Sequence, residues 1–117
     1  MWSSMEMMGE WARDVLDVPV STYPASGAGP TFALVSRTGG RVDYPHDSPE
    51  ISVQVWSKSD SEAEEGAMAI GIAAKTLPPD DPHVNSVGAP NVYRYGAQDG
   101  GWFVWEADVP LETNIID

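Results

Sequence analysis

Cysteine is absent from the 117-residue chain. That removes disulfide frameworks, thiolate metal sites and cysteine nucleophiles together, and it suits a reducing cytoplasm. Basic residues are scarce: 6 Lys and Arg stand against 18 Asp and Glu, a formal net charge of −12. Such a chain repels a phosphate backbone, so conventional nucleic-acid binding is not expected. Long apolar runs are missing as well. The longest, AMAIGIAA at 67–74, falls well short of the roughly 20 residues that cross a bilayer, and no membrane partner is expected. The opening MWSSMEMMGEW carries glutamates where a secretion signal carries Lys or Arg.

What is present suffices for one domain over residues 1–117 with a real hydrophobic core. Over the first sixteen residues Met8, Ala12, Val15 and Trp11 recur at helical spacing among Glu6, Glu10, Arg13 and Asp14, with Ser3 or Ser4 as cap. DVPVSTYPASGAGP (17–30) permits a short extended piece near Val18–Thr22 and then a loop. In TFALVSR (31–37), Phe32 and Leu34 oppose Ala33 and Val35, and Thr38-Gly39-Gly40 predicts a turn. The turn leads into a Pro-punctuated loop ending at Asp47, Ser48 and Pro49. Ile51, Val53 and Val55 then share one strand face, with Ser52, Gln54 and Trp56 on the other.

A second helix is predicted from a cap at Ser59 or Ser61, with Asp60, Glu62, Glu64 and Glu65 complementing its positive N-terminus. Ala63, Ala67, Ile70, Ala74 and Leu77 form a stripe of small residues suited to lying close on a sheet, and Pro78-Pro79 end the helix. After a polar loop, residues 91–112 read as a hairpin turning at Asp99-Gly100-Gly101. On its second arm Phe103, Trp105, Ala107, Val109 and Leu111 face one way, and Trp102, Val104, Glu106, Asp108 and Glu112 the other. The fold class expected is α+β: a single mainly antiparallel sheet with two helices packed on one side, in the order helix, strands, helix, hairpin.

Chemistry finds little to work with. His46 and His83, the two histidines, lie in Pro- and Asp-rich loops and are expected to be solvated. Adjacent residues such as His46-Asp47-Ser48 cannot line up in series as a hydrolytic triad, which is assembled from distant segments. Asp80, Asp81 and His83 lack the alternating oxygen ligands of a calcium loop, and SGAGP lacks the third glycine and the lysine of a phosphate loop. Glu106 and Asp108 share a strand face about 7 Å apart by strand rise, suited to acid–base work only in a desolvated pocket. No catalytic centre, metal or cofactor is expected.

The unusual feature is five tryptophans, at 2, 11, 56, 102 and 105. Trp105 fits the core. Trp56 and Trp102 lie opposite the apolar faces, where they either build a second layer of core or meet another protein.

In order and spacing, the short N-terminal helix, VPV, FALVSRTGG, DSPEISVQVWS, SEAEEGAMA and RYGAQDGGWFVWEADVPLE resemble the tail terminator proteins of long-tailed bacteriophages, over about residues 5–112. The resemblance implies a structural virion protein at the tail–neck junction, assembled in the host cytoplasm. Its hexameric ring would cap the tail tube protein, stop polymerisation and offer a surface to the head-neck connector (stopper) protein. DNA would pass through without specific binding. On this reading Arg37, Thr38, Gly39, Gly40, Arg41, Trp56, Gln98, Asp99 and Trp102 form the ring and tube contacts, and Glu106, Asp108 and Glu112 line an acidic lumen. The alternative is a small acidic phage-encoded inhibitor that imitates the charge of DNA.

Overall fold

A computed structural model describes residues 1–22, 29–77 and 81–116. The helix-ending Pro78-Pro79, Asp80 and the loop residues 23–28 lie outside the described residues. Helix α1 spans Ser4–Leu16. Of the two cap candidates Ser3 is the one used: its Oγ accepts from the Glu6 N–H at 3.2 Å, which satisfies an amide the first helical turn leaves without a partner. At the other end Asp17 adopts a left-handed conformation, φ 53°, and its N–H closes on Arg13 O at 2.8 Å.

Strands β1 (Val20–Ser21), β2 (Thr31–Asp43) and β3 (His46–Ser57) follow. Helix α2 (Asp60–Ala73) is capped by Ser59 and tightens into a 3-10 turn over Ala74–Thr76. Strands β4 (Val84–Val87), β5 (Asn91–Gln98) and β6 (Trp102–Asn114) complete the chain. The sheet runs β1-β2-β3-β6, and the far side of β6 is divided between β5, along Trp102–Asp108, and β4, along Leu111–Thr113. Among the described residues only β1 and β2 pair in parallel; every other pair is antiparallel. The protein is therefore α+β, with two helices and a mainly antiparallel sheet. No helix among the described residues is long and apolar enough to cross a membrane.

Two expectations are corrected. Thr38-Gly39-Gly40 is not a turn, and 38–49 is not a loop. The strand passes straight through, with a bulge between Arg37 and Gly39, and reverses only at Tyr44-Pro45, so Asp43 pairs with His46. The glycines follow the bulge and permit a close approach. Gly40 sits at φ 114°, and a Cβ there would lie 2.1 Å from Ser48 O on the facing strand. The second correction is β4, in a segment read as polar loop. Four residues carry too little alternation to announce a strand, yet Val84 is buried and pairs with Thr113.

The core joins Met8 and Ala12 of α1, Ile70 of α2 and the following Ala74 and Leu77 to Ala33, Val35, Ile51, Val53, Ala107, Val109 and Leu111 of the strands. Each large apolar side chain so buried stabilises the fold by roughly 1.5–3 kcal/mol relative to exposure. The stripe of small residues predicted for α2 is the buried one. Its use is proximity: a Cβ on Gly66 would come within 2.8 Å of Val55 Cγ1, so the helix backbone sits almost on β3.

Gly40→Ala is expected to destabilise the domain by about 2 kcal/mol or more, since it meets both left-handed strain and the Ser48 carbonyl. Urea denaturation checks this, with Gly39→Ala, where a Cβ meets nothing within 4 Å, expected to cost less.

Candidate functional site

Strand alternation sends Ser52, Gln54 and Trp56 of β3 to the face opposite Ile51, Val53 and Val55. The register brings Gln54 level with Glu106 and Ser52 level with Asp108 on β6, and Tyr93 of β5 lies across from Glu106. These side chains converge. Glu106, only 5% exposed, accepts from Gln54 Nε2 at 2.9 Å, from Ser52 Oγ at 3.1 Å and, in a very short bond, from the Tyr93 hydroxyl. Ser52 Oγ also lies 2.7 Å from Asp108 Oδ1. One hydroxyl thus bridges two carboxylates, and it has only one hydrogen to give.

The two carboxyls respond in opposite directions. Burial raises Asp108 first, the hydrogen bond with Glu106 adds to it, and the group is pushed up to about 6. Burial acts on Glu106 too, but there the hydrogen bonds from Asp108, Tyr93, Gln54 and Ser52 outweigh it and hold the carboxyl below its ordinary range. A proton shared by the pair therefore resides on Asp108, and Glu106 is the anion. The Tyr93 hydroxyl is raised well above its usual range, first by its bond to that anion and then by burial.

Next to this polar group is an aromatic one. Phe32 stacks on Trp56 with centroids 5.5 Å apart and meets Trp102 edge-on at 5.0 Å, and the two tryptophans are 6.3 Å apart in a T. Trp56 Nε1 donates to Gln54 Oε1 at 3.1 Å, which ties the aromatic group to the carboxylates. Lys58 caps Trp102, its Nζ 4.1 Å from the ring centroid, and donates to Gly100 O.

Of the residues singled out from sequence, Trp56 and Trp102 are thus together, as are Glu106 and Asp108. Gln98 pairs across from Trp102 at the end of β5, and Asp99 is exposed in the turn beyond. Glu112 lies further along β6, accepting from Ser48 Oγ at 2.6 Å. Thr38, whose Oγ1 is 3.4 Å from Glu50 O, is the extra residue of the bulge, and Gly39 and Gly40 resume the ladder opposite Glu50 and Pro49. Arg41 is exposed near the hairpin tip, opposite Ser48. Arg37 is engaged inside its own chain: Nη1 and Nη2 each reach a carboxylate oxygen of Asp47 at 2.8 Å, and Nε donates to Gly39 O. Such a fork holds the buried Asp47 in place and steadies the hairpin arms.

Sequence reasoning missed Ser52, Gln54 and Tyr93 as partners of Glu106. The alternation of β3 had already placed the first two on the right face, but the pairing of β3 with β6 was not readable. His83 is not a plain solvated loop residue. Trp2 stacks on it at 4.8 Å and donates to Asp81 Oδ2 at 3.1 Å, while His83 Nδ1 is 3.3 Å from Asp81 Oδ1 and Nε2 is 3.1 Å from Ile116 O. Trp105 is only half-buried, and its N–H reaches Asp60 Oδ1 at 2.8 Å. That bond, with Arg94 beside it, lowers the Asp60 carboxyl. Among the described residues no three His, Asp or Glu side chains converge to hold a metal ion. Comparison with protein-family models and with curated proteins finds no match for this chain.

Two outcomes follow for stability. Asp108, raised from its ordinary 3.8 to about 6, contributes stability that is complete below 3.8 and is lost as pH rises through 6. Glu106, lowered, contributes stability present above its ordinary 4.5 and lost as pH falls below that. The melting temperature should therefore be higher at pH 5 than at pH 7.5 and fall again toward pH 3, and Asp108→Asn should remove the difference between pH 5 and 7.5. For the hairpin, Arg37→Met leaves Asp47 buried without its partner and should cost about 2–3 kcal/mol in chemical denaturation.

Proposed function

We propose that the protein is a phage tail terminator: a structural virion protein of the tail–neck junction that closes a hexameric ring on the tail tube protein, stops its growth and presents a docking surface to the head-neck connector. Under this reading the two helices cover one side of the sheet in the order helix, strands, helix, hairpin, and the other side is free to face the ring. The observation that carries it is the length and bareness of the β2–β3 hairpin. The molecule measures 42 × 25 × 23 Å, and at the hairpin tip Arg41, Asp43, Val42 (61% exposed) and Tyr44 (69% exposed) present a mixed polar and apolar surface to solvent. An exposed tip on a rigid pair of strands is what one subunit would insert against the next or against the tube. The exposed turn with Gln98 and Asp99, beside Trp102, supplies a second contact of the same kind.

The second sheet face supports the lumen assignment. Glu50 and Glu112 share the strand parity of Glu106 and Asp108, so four carboxylates follow one another along that face without a basic residue among them on β3 or β6. A passage lined this way would let DNA slide without adhering. The same row also favours the other reading, an inhibitor that imitates DNA's charge, which needs carboxylates spread over one face.

Light scattering coupled to size exclusion separates the two. A six-membered ring, alone or on addition of tail tubes, is expected of the terminator, and a monomer or dimer that captures a DNA-binding protein is expected of the mimic. Trp102→Ala should leave a folded chain that no longer closes rings, because losing a desolvated aromatic anchor at an interface costs about 2 kcal/mol or more. A phage carrying it should make overlong tails that fail to join heads. If Trp102→Ala unfolds the domain while tail length stays normal, Trp102 belongs to the fold and not to the ring.

A further inference from the structure

We infer that Ser52, Glu106 and Asp108, with Tyr93, form a one-proton switch that sets the charge and shape of the second sheet face. Four side chains from three strands meet there. Glu106 is held by three donors from β3 and β5, whereas Asp108 has the Ser52 hydroxyl, at 2.7 Å, and a weaker share of the Tyr93 hydroxyl, both of which it divides with Glu106. The Ser52 hydroxyl has a single hydrogen for two carboxylates, so its bridge is satisfied only when one carboxyl brings a hydrogen of its own. With the proton present, Asp108 donates toward Glu106 and Ser52 completes the bridge. When the proton leaves, two anions face one hydroxyl, and the one with fewer donors must turn toward water. Asp108, half-exposed where Glu106 is buried, is free to do so.

Among the described residues no basic side chain lies beside the pair. Sharing this face are Glu50 and Ser48 on β3, Glu112 on β6, Tyr93 and Asn91 on β5, and Thr38 and Arg41 on β2. Arg41 is level with Ser48, four residues along β3 from Ser52 and so about 13 Å away by strand rise, and Lys58 at the other end is held by the Trp102 ring and Gly100 O. The nearest basic group on β5, Arg94, is level with Trp105 on the opposite face and pairs with Asp60. Among the described residues no basic group pairs with either carboxylate, and the proton takes that place. The raised Asp108 and lowered Glu106 agree with this division of roles, and they put the change between mild acid and neutrality. The inference does not depend on ring formation. If rings form, each copy gains one negative charge on this face as the proton leaves.

Carbon-13 NMR of the side-chain carboxyls of the whole chain, followed from pH 4 to 8, tests it. Asp108 and Glu106 are expected to report one common step near pH 6, with the Ser52 and Tyr93 signals moving at the same midpoint. Asp108→Asn should abolish that step at Glu106. Tyr93→Phe, which removes a donor from the anion and keeps both carboxyls, should retain the step and move its midpoint upward. The inference is overturned if Asp108 titrates in the ordinary carboxylate range, if the two carboxyls change independently, or if the step survives in Asp108→Asn. Should Asp108→Asn fail to fold, the Tyr93→Phe midpoint decides: no upward movement overturns the switch.

Discussion

Strand β6 is the constraint on which the rest of the molecule depends. Its thirteen residues have both hydrogen-bonding edges occupied, by β3 on one side and by β5 and β4 in succession on the other. A strand paired on both edges cannot slip by one residue without turning every side chain to the wrong face. Its odd positions Ala107, Val109 and Leu111 enter the core, and its even positions Trp102, Glu106 and Asp108 build the second face. The core and the candidate site are thus two sides of one register.

The second face is closed at one end by its own side chains. Val104 is fully buried there and Phe32 nearly so, because large side chains from β2, β3 and β6 lean over one another. The aromatic group excludes water at one end, and the carboxylates beside it lose solvation. That loss pushes both carboxyls up, and the hydrogen bonds from β3 and β5, more numerous at Glu106, decide which of the two stays ionised. Apolar packing and polar chemistry are here a single arrangement, joined through Gln54, which receives Trp56 and donates to Glu106.

Much of this was legible in the sequence where periodicity is local. Both helices, their serine caps, the buried stripe of α2 and the alternation of β3 and β6 follow from spacing over a few residues. What was not legible depends on partners distant in the chain. Gly39 and Gly40 read as a turn because glycine pairs usually mark one; only the continued ladder with β3 makes them strand residues that follow a bulge at Thr38. β4 is recognisable only once β6 is beside it. Ser52 and Tyr93 become partners of Glu106 through contacts 54 and 13 residues apart, and no spacing rule announces such a meeting.

Three of the six Lys and Arg side chains are committed internally: Arg37 to Asp47, Arg94 to Asp60, Lys58 to the face of Trp102 and the Gly100 carbonyl. Each of these positive charges is answered at short range, so little of it reaches into solvent. Seen from a Debye length away, about 8 Å at physiological salt, the molecule is an anion with Arg13, Arg41 and Lys75 as scattered exposed points of opposite sign. A field of this sign repels an acidic neighbour and draws in a basic one before any contact forms, and added salt would screen it before weakening the fold.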